Sequence, residues 1–344
     1  MKKYTLTFLI LVIITTLSAC QFGNQTQDME ITVFTERHYD TDQIIYDRFT
    51  ELTGIKVNLI SDGADQLITR LQNEGKDTLA DILIIADAGR LERAKSFDLF
   101  QPIESTILES NIPSNYQDVD HHWFGLTIRA RIFAYHPDRI ESSELSTYED
   151  LVNPKWLGRI VTRTSTNIYN QSLMASMIEI MGEDEAKIWA AGLVANFARD
   201  PQGNDRDQAK AVLSGVADLA IMNTYYLGRM LYSSDPNEVL VAETLRVFFP
   251  NQETTGTHIN VSGAGVIKHS KKSDLAILLL EYLSSAEAQS SYADGNFEYP
   301  VNPSVEPHAL LASWGTFNTQ NISLDALGKN SVKASILLNE VGWK

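Results

Sequence analysis

The chain has 344 residues, 44 acidic against 28 basic side chains, a formal charge of −16 and a single cysteine. That length supports two lobes with cores of their own, and the acidic balance argues against nucleic acid or anionic lipid surfaces as partners. One cysteine allows no internal disulfide, so stability has to come from apolar burial.

Residues 1–19 read as a targeting segment that takes no part in the fold. Lys2 and Lys3 form a short basic region, and Phe8 to Ile14 is an apolar core too short to span a bilayer comfortably. Leu17-Ser18-Ala19-Cys20 then resembles a bacterial lipobox. On that reading Cys20 is lipidated and begins the mature chain, residues 20–29 form a polar tether, and the membrane is reached only through the lipid. Cleavage removes two lysines and no acids, deepening the charge from −16 to −18. The expected location is the extracytoplasmic cell envelope, lipid-anchored in the periplasm or on the outer face of the plasma membrane.

From residue 30 the elements alternate. Glu30–Thr35, Lys56–Ile60 and Asp81–Ala86 read as strands, each followed by a helix: about 41–53 stopped by Gly54, about 65–73, and Arg90–Lys95. That rhythm predicts a parallel sheet with helices on its faces. Trp123–Tyr135 is a long extended stretch ended by His136-Pro137. A second α/β unit follows, with strands at Arg159–Thr162 and Leu219–Asn223 and helices at Tyr169–Met181, Glu183–Asn196, Asp205–Leu213 and from about Tyr225. Asp205 and Asp207 read as charges that solvate their helix. Ile259–Lys268 is expected to be a strand interrupted at Ser-Gly-Ala-Gly, and Asp274–Leu283 a strongly apolar helix. Two α/β units joined by extended crossings near Arg129–Phe133 and His258–Val261 predict a two-lobe α/β body with a hinged central cleft. The approximate division is 30–128 plus 259–305 for one lobe and 129–258 plus 306–344 for the other.

Three strand-to-helix junctions carry the candidate chemistry: His38-Tyr39, Tyr169, and Tyr225-Tyr226. In open α/β sheets ligands bind where such loops converge. Tyrosine is a poor ligand while its phenol is protonated, with an ordinary pKa of about 10, but a bound cation stabilises the phenolate directly. Ferric iron, hard and highly charged, is the cation that suits four phenolates and an imidazole best. Four phenolates against Fe³⁺ leave one negative charge, which gives Arg129 and Arg131, on one face of the same strand, a role as donors behind the ligands.

Phe34-Thr-Glu-Arg-His-Tyr-Asp-Thr-Asp42, Ala80 to Leu91, Trp123 to Arg131, Asn196 to Asp205 and Asn223-Thr-Tyr-Tyr226 together resemble bacterial ferric-iron-binding proteins of ABC importers, in particular the FutA type. The resemblance implies the type II periplasmic-binding-protein fold and Fe³⁺ as bound ligand. It makes His38, Tyr39, Tyr169, Tyr225 and Tyr226 the metal ligands, and a membrane permease of an ABC importer the partner of a monomeric, non-enzymatic receptor. Some relatives use a glutamate after the third strand together with an anion. Here that stretch reads Ala86-Asp87-Ala88, which favours the tyrosine-rich site, leaves Asp87 as an outer contact, and leaves open whether an anion or water completes the coordination. Two other readings of the same residues stand beside this one. One is an enzyme on the same fold with His38 as general base; the other is a receptor for a small organic cation or chelated iron, with the tyrosines as an aromatic box.

Overall fold

The computed structural model describes residues 29–344. The targeting segment, Cys20 and the tether up to residue 28 lie outside the described residues. The first part of the chain contains β1 (Glu30–Thr35), α1 (Asp40–Thr53), β2 (Lys56–Ser61), α2 (Ala64–Glu74), β3 (Ile82–Ile85), α3 (Ala88–Ser96) and α4 (Thr106–Asn111). The long β4 (Phe124–Tyr135) leads to β5 (Ile160–Val161), α5 (Ile168–Met181), α6 (Glu183–Ala195), α7 (Asp205–Leu213), β6 (Leu219–Asn223), α8 (Thr224–Leu231), α9 (Pro236–Thr244) and β7 (Arg246–Phe248). The chain closes with β8 (Ile259–Val266), α10 (Ser273–Ser284), α11 (Ala286–Asn296), β9 (Tyr299–Pro300), α12 (Ala309–Ser313), α13 (Asp325–Lys329) and α14 (Ser331–Glu340).

The strands form one sheet in the order β2-β1-β3-β8-β4-β6-β5, with β7 and β9 also paired to β4. β1 runs parallel to β2 and β3, and β5 parallel to β6, as strand-helix-strand connections demand. β8 enters antiparallel between β3 and β4. β4 and β8 are buried at every position, including the polar residues Thr127, Arg129, Arg131, Asn260 and Ser262 that they carry. Along β4 the partner changes at one point. Residues up to Ala130 pair with β8, while Arg131 to Tyr135 pair with β6, and Phe133 to Tyr135 also with β7. The same two strands therefore hold both halves of the sheet, and the helix N-termini that follow β1, β5 and β6 all face the region where that change occurs.

The expected interruption at Ser262-Gly263-Ala264-Gly265 does not exist; β8 runs through it unbroken. The glycines answer a packing demand instead. A Cβ on Gly263 would lie 2.7 Å from the Phe124 carbonyl oxygen, and one on Gly265 would lie 2.6 Å from that of His122. Helix α1 ends as its sequence predicts: Gly54 takes the left-handed conformation, φ 73°, and its N–H donates to the Thr50 carbonyl. Beyond Leu283 no elements are expected from the sequence, yet α11 and α12 to α14 are there. The 286–296 stretch is mostly small and polar, so it offers little apolar periodicity to read.

Gly265→Ala is expected to lower stability by about 1–3 kcal/mol, measured by denaturant unfolding, because the added Cβ would meet both the His122 carbonyl oxygen and the buried Phe100 ring.

Candidate metal centre

Each junction places a tyrosine in the first turn of a helix. Tyr39 is the N-cap of α1, with extended backbone, and Asp40 and Asp42 follow in the same turn. Tyr169 is the second residue of α5, and its N–H donates to the side chain of the Asn167 cap. Tyr225 and Tyr226 are the second and third residues of α8. The partial positive charge of a helix N-terminus favours negative charge nearby, so all three helices point the favourable end of their dipoles at these phenols.

His38, Tyr39, Tyr169 and Tyr225 line one cavity of about 130 Å³, together with Glu36, Arg37, Ala86, Arg129, Ile168 and Glu298. The phenol oxygens of Tyr169 and Tyr225 are 3.1 Å apart. Two oxygens bound at right angles to one small cation, at about 2.0–2.2 Å each, stand about 3 Å from one another, so this pair already has the spacing of two ligands. Tyr226 stacks on Tyr225, centroids 4.2 Å apart, and does not itself line the cavity. His38 is exposed and its Nδ1 lies 3.3 Å from the Glu36 carbonyl oxygen.

Tyr39, Tyr225 and Tyr226 resist ionisation. Tyr225 is buried and its pKa is raised well above the ordinary value, first by burial and then by its neighbours Tyr169, Tyr39 and Tyr226, with Arg129 pulling the other way. Burial also raises that of Tyr226, helped by Tyr169 and Asp205. Tyr39 is raised by burial and by Glu298, against Arg37 and Arg229. Phenolate at this site thus needs a strong positive charge delivered from outside.

Arginines surround the phenols. The guanidinium carbons of Arg163, Arg129 and Arg131 lie 5.5, 5.6 and 5.9 Å from the Tyr169 ring centroid, and that of Arg229 lies 4.4 Å from the Tyr39 ring. Three buried acids, Asp205, Asp42 and Glu298, hold Arg131, Arg163 and Arg37 in place. Arg131 Nη1 donates to Asp205 Oδ1 at 2.8 Å, Arg163 Nη1 to Asp205 Oδ2 at 2.9 Å, and Arg131 Nη2 to Asn170 Oδ1 at 2.7 Å. On the other side Arg37 donates to both oxygens of Asp42 and both of Glu298. Burial opposes the Glu298 charge, but Arg37 and Arg129 overcome it and hold the carboxyl below its usual range. Arg129 is different. It donates to Ser262 Oγ at 3.0 Å and to the Val261 carbonyl, and among the described residues no carboxylate bonds it. Burial works against its charge; Tyr169 and Tyr225 favour it once they are ionised, and Glu298 and Asp87 add to that.

The structure thus gathers His38, Tyr39, Tyr169, Tyr225 and Arg129 around one cavity, with Tyr226 and Arg131 immediately behind. Asp87 is turned elsewhere: one oxygen caps α3 through Arg90 N–H and the other accepts from Asn260. Asp205 is not a solvating charge. It is fully buried because two arginines need it. Arg37 and Glu298 were not visible as site residues in the sequence; Arg37 adjoins His38, but Glu298 arrives from a distant segment that carries no motif. Among the described residues Asp118, Asp120 and His122 also cluster with metal-ligand spacing, and there the Lys95 ammonium already bridges both carboxylates.

A two-lobed α/β frame whose helix N-termini meet in a cleft is the architecture of an extracytoplasmic solute-binding protein, a transport component and not an enzyme. The chain belongs to the bacterial extracellular solute-binding protein family, whose sequence profile matches residues 77–318. It is 48% identical over 318 residues to iron uptake protein A1 of Synechocystis sp. PCC 6803, covering 92% of this chain and 88% of that one. Among solved structures it is similar to FutA (IdiA) from Trichodesmium in complex with iron and citrate, with a TM-score of 0.89, 47% identity and coverage of 92% and 100%. It is also similar to Mannheimia haemolytica ferric iron-binding protein A in an open conformation, with a TM-score of 0.85, 40% identity and coverage of 92% and 99%. The fold is the two-lobe type II periplasmic-binding-protein fold.

Asp205→Asn removes the shared counter-charge of Arg131 and Arg163 while keeping the shape. It is expected to cost about 3–5 kcal/mol of stability, checked by denaturant unfolding of the iron-free protein.

Proposed function

We propose that this protein captures Fe³⁺ in its cleft through Tyr39, Tyr169, Tyr225 and Tyr226, with His38 as a fifth ligand, and delivers it to the membrane permease of an ABC importer. The observation that carries this is the contact between the Tyr169 and Tyr225 hydroxyls inside a cavity that Tyr39 and His38 also line. Three phenols from three separate helix N-termini converge there. The relatives named for iron uptake and ferric-iron binding support the choice of metal. An organic-cation receptor would present ring faces to its ligand, whereas here two hydroxyls point at each other.

Fe³⁺ pulls the protons from the phenols and binds as a tyrosinate complex. Arg129, without a carboxylate of its own, then faces the charge that four phenolates leave in excess, and Arg131 stands behind it. The lobes are residues 30–128 with 259–305, and 129–258 with 306–344. His38 and Tyr39 belong to the first and the other three tyrosines to the second, so the metal stabilises the closed arrangement. An accessory anion or water completes the coordination sphere. The mature chain acts as a monomer, held to the outer side of the plasma membrane or in the periplasm by a lipid on Cys20.

Tyr225→Phe keeps the ring and removes an anionic ligand. It is expected to weaken ferric binding by more than about a hundredfold, beyond the 10–100-fold typical of groups behind the ligands. His38→Ala is expected to cost less, since an exposed neutral imidazole gives less to a hard cation. Both are read from titrations against citrate, and equal affinities for Tyr225→Phe and wild type would refute the ligand assignment.

Loading displaces up to four phenolic protons, and at Tyr39, Tyr225 and Tyr226 the phenol pKa lies above the ordinary one, so affinity has to fall as pH falls. Uptake by unbuffered protein should acidify the solution by several protons per iron after correction for iron hydrolysis. Uptake without acidification would exclude tyrosinate ligation.

A further inference from the structure

Beneath the tyrosine cavity, where β4 changes partners, β8 presents Asn260 directly opposite Arg129. Asn260 is 5% exposed and uses every hydrogen-bonding position of its amide. Its Oδ1 accepts from Ala88 N–H at 2.9 Å and from its neighbour Val261 N–H at 2.8 Å. Its Nδ2 donates to Asp87 Oδ2 and to Ser172 Oγ, both at 2.7 Å. Two backbone N–H groups on Oδ1 fix which end of the amide is which. Asp87 caps α3, and Ser172 lies on α5 three residues after Tyr169, on the same helical face.

The chain of bonds continues with a direction. Ser172 Oγ lies 3.0 Å from His258 Nε2, and His258 Nδ1 lies 3.0 Å from Gln320 Oε1. Having accepted from Asn260, Ser172 is free to donate to Nε2, which puts the single proton of His258 on Nδ1, facing Gln320. Gln320 Nε2 is buried and has no partner among the described residues. Burial, then Arg131 and Arg129, push the His258 pKa down to about 3, so the ring stays neutral and one nitrogen must accept.

We propose that Asn260 is a positioning residue for iron capture: its amide fastens α3 to α5 across the floor of the cleft and so fixes Tyr169 relative to Tyr39 and His38. This rests on the ferric function proposed above. Neither Asn260 nor Ser172 reaches the cavity that the tyrosines line, so the effect passes through α5. The bonds tie α5, which carries Tyr169, to the N-terminus of α3, and Ala86 just before that helix donates its N–H to the Glu36 carboxylate, two residues from His38. A shift of the α5 N-terminus would open the Tyr169–Tyr225 spacing that a small cation requires.

The test exploits the direction of the chain. Asn260→Asp sets a second buried carboxylate against Asp87 and removes the donor to Ser172, so ferric affinity, titrated against citrate, should fall ten- to a hundredfold. Asp87→Asn alone turns two amide donors on each other and should also weaken binding. The double variant Asp87→Asn/Asn260→Asp lets the whole chain reverse. The amide at 87 donates to the carboxylate at 260, Ser172 donates to it too, His258 donates through Nε2, and Gln320 turns its idle amide to Nδ1. Affinity should return to within about threefold of wild type, the signature of coupled sites. ¹⁵N NMR should show the His258 proton on Nδ1 in wild type and on Nε2 in the double variant, a change that general loosening does not produce. If Asn260→Asp does not fold, the double variant decides alone, supporting the proposal by folding and loading iron and overturning it by failing to. Wild-type affinity in Asn260→Asp, a double variant as weak as the singles, or an unmoved proton would each overturn it. If wild type itself takes up no ferric iron, the ferric function falls, and this inference with it.

Discussion

A phenol buried among other phenols stays neutral until a cation reaches it, and this constraint organises the molecule. Tyr225 sits beside Tyr169, Tyr39 and Tyr226, and each neighbour makes its ionisation harder. A site built this way is inert toward weakly charged metals, which cannot compensate several phenolates, and responsive to a trivalent one. Specificity for ferric iron is then a property of the empty site's resistance to charge as much as of its ligand types. The helix N-termini that carry the tyrosines, and the guanidinium groups around their rings, supply fixed positive potential that makes the loaded state bearable.

The cost of holding so many arginines in a dry cleft is met by a small number of buried acids. Asp205 serves Arg131 and Arg163; Asp42 and Glu298 serve Arg37. These pairs make the walls rigid, since breaking any of them leaves an uncompensated charge. Arg129 stands apart, bonded to a hydroxyl and a carbonyl. In the proposed ferric complex, the anionic partner it lacks is the one that metal loading creates. The crossing strands β4 and β8 carry Arg129, Arg131, Asn260 and Ser262 within a few residues of each other, so the frame joining the two halves and the shell behind the ligands are the same piece of structure.

Much of this was legible in the sequence, for reasons that can be named. β1, α7 and β6 match their expected limits to the residue because their polar caps and apolar runs are local signals. Tyr39, Tyr169 and Tyr225 line one cavity, with Tyr226 behind, because strand-to-helix junctions bring chain segments to one edge of the sheet whatever their separation in sequence. Asp205 misled because a charged residue beside other charges reads as solvent-facing, and only the fold shows that Arg131 and Arg163 close over it. Glu298 left no trace for a similar reason: its partner Arg37 lies 261 residues away. β8 looked interrupted because glycine signals both a bend and a close approach, and only the position of Phe124 and His122 separates the two.

The central claim, that Tyr169 and Tyr225 with their neighbours form one ferric site, is tested most directly by locating the metal itself. Crystals of protein loaded with ferric citrate, measured on both sides of the iron absorption edge, should show one anomalous peak per chain in the cleft, about 2 Å from the phenol oxygens. An iron peak at the Asp118–His122 cluster, or none in the cavity lined by Tyr39, Tyr169 and Tyr225, would contradict the account.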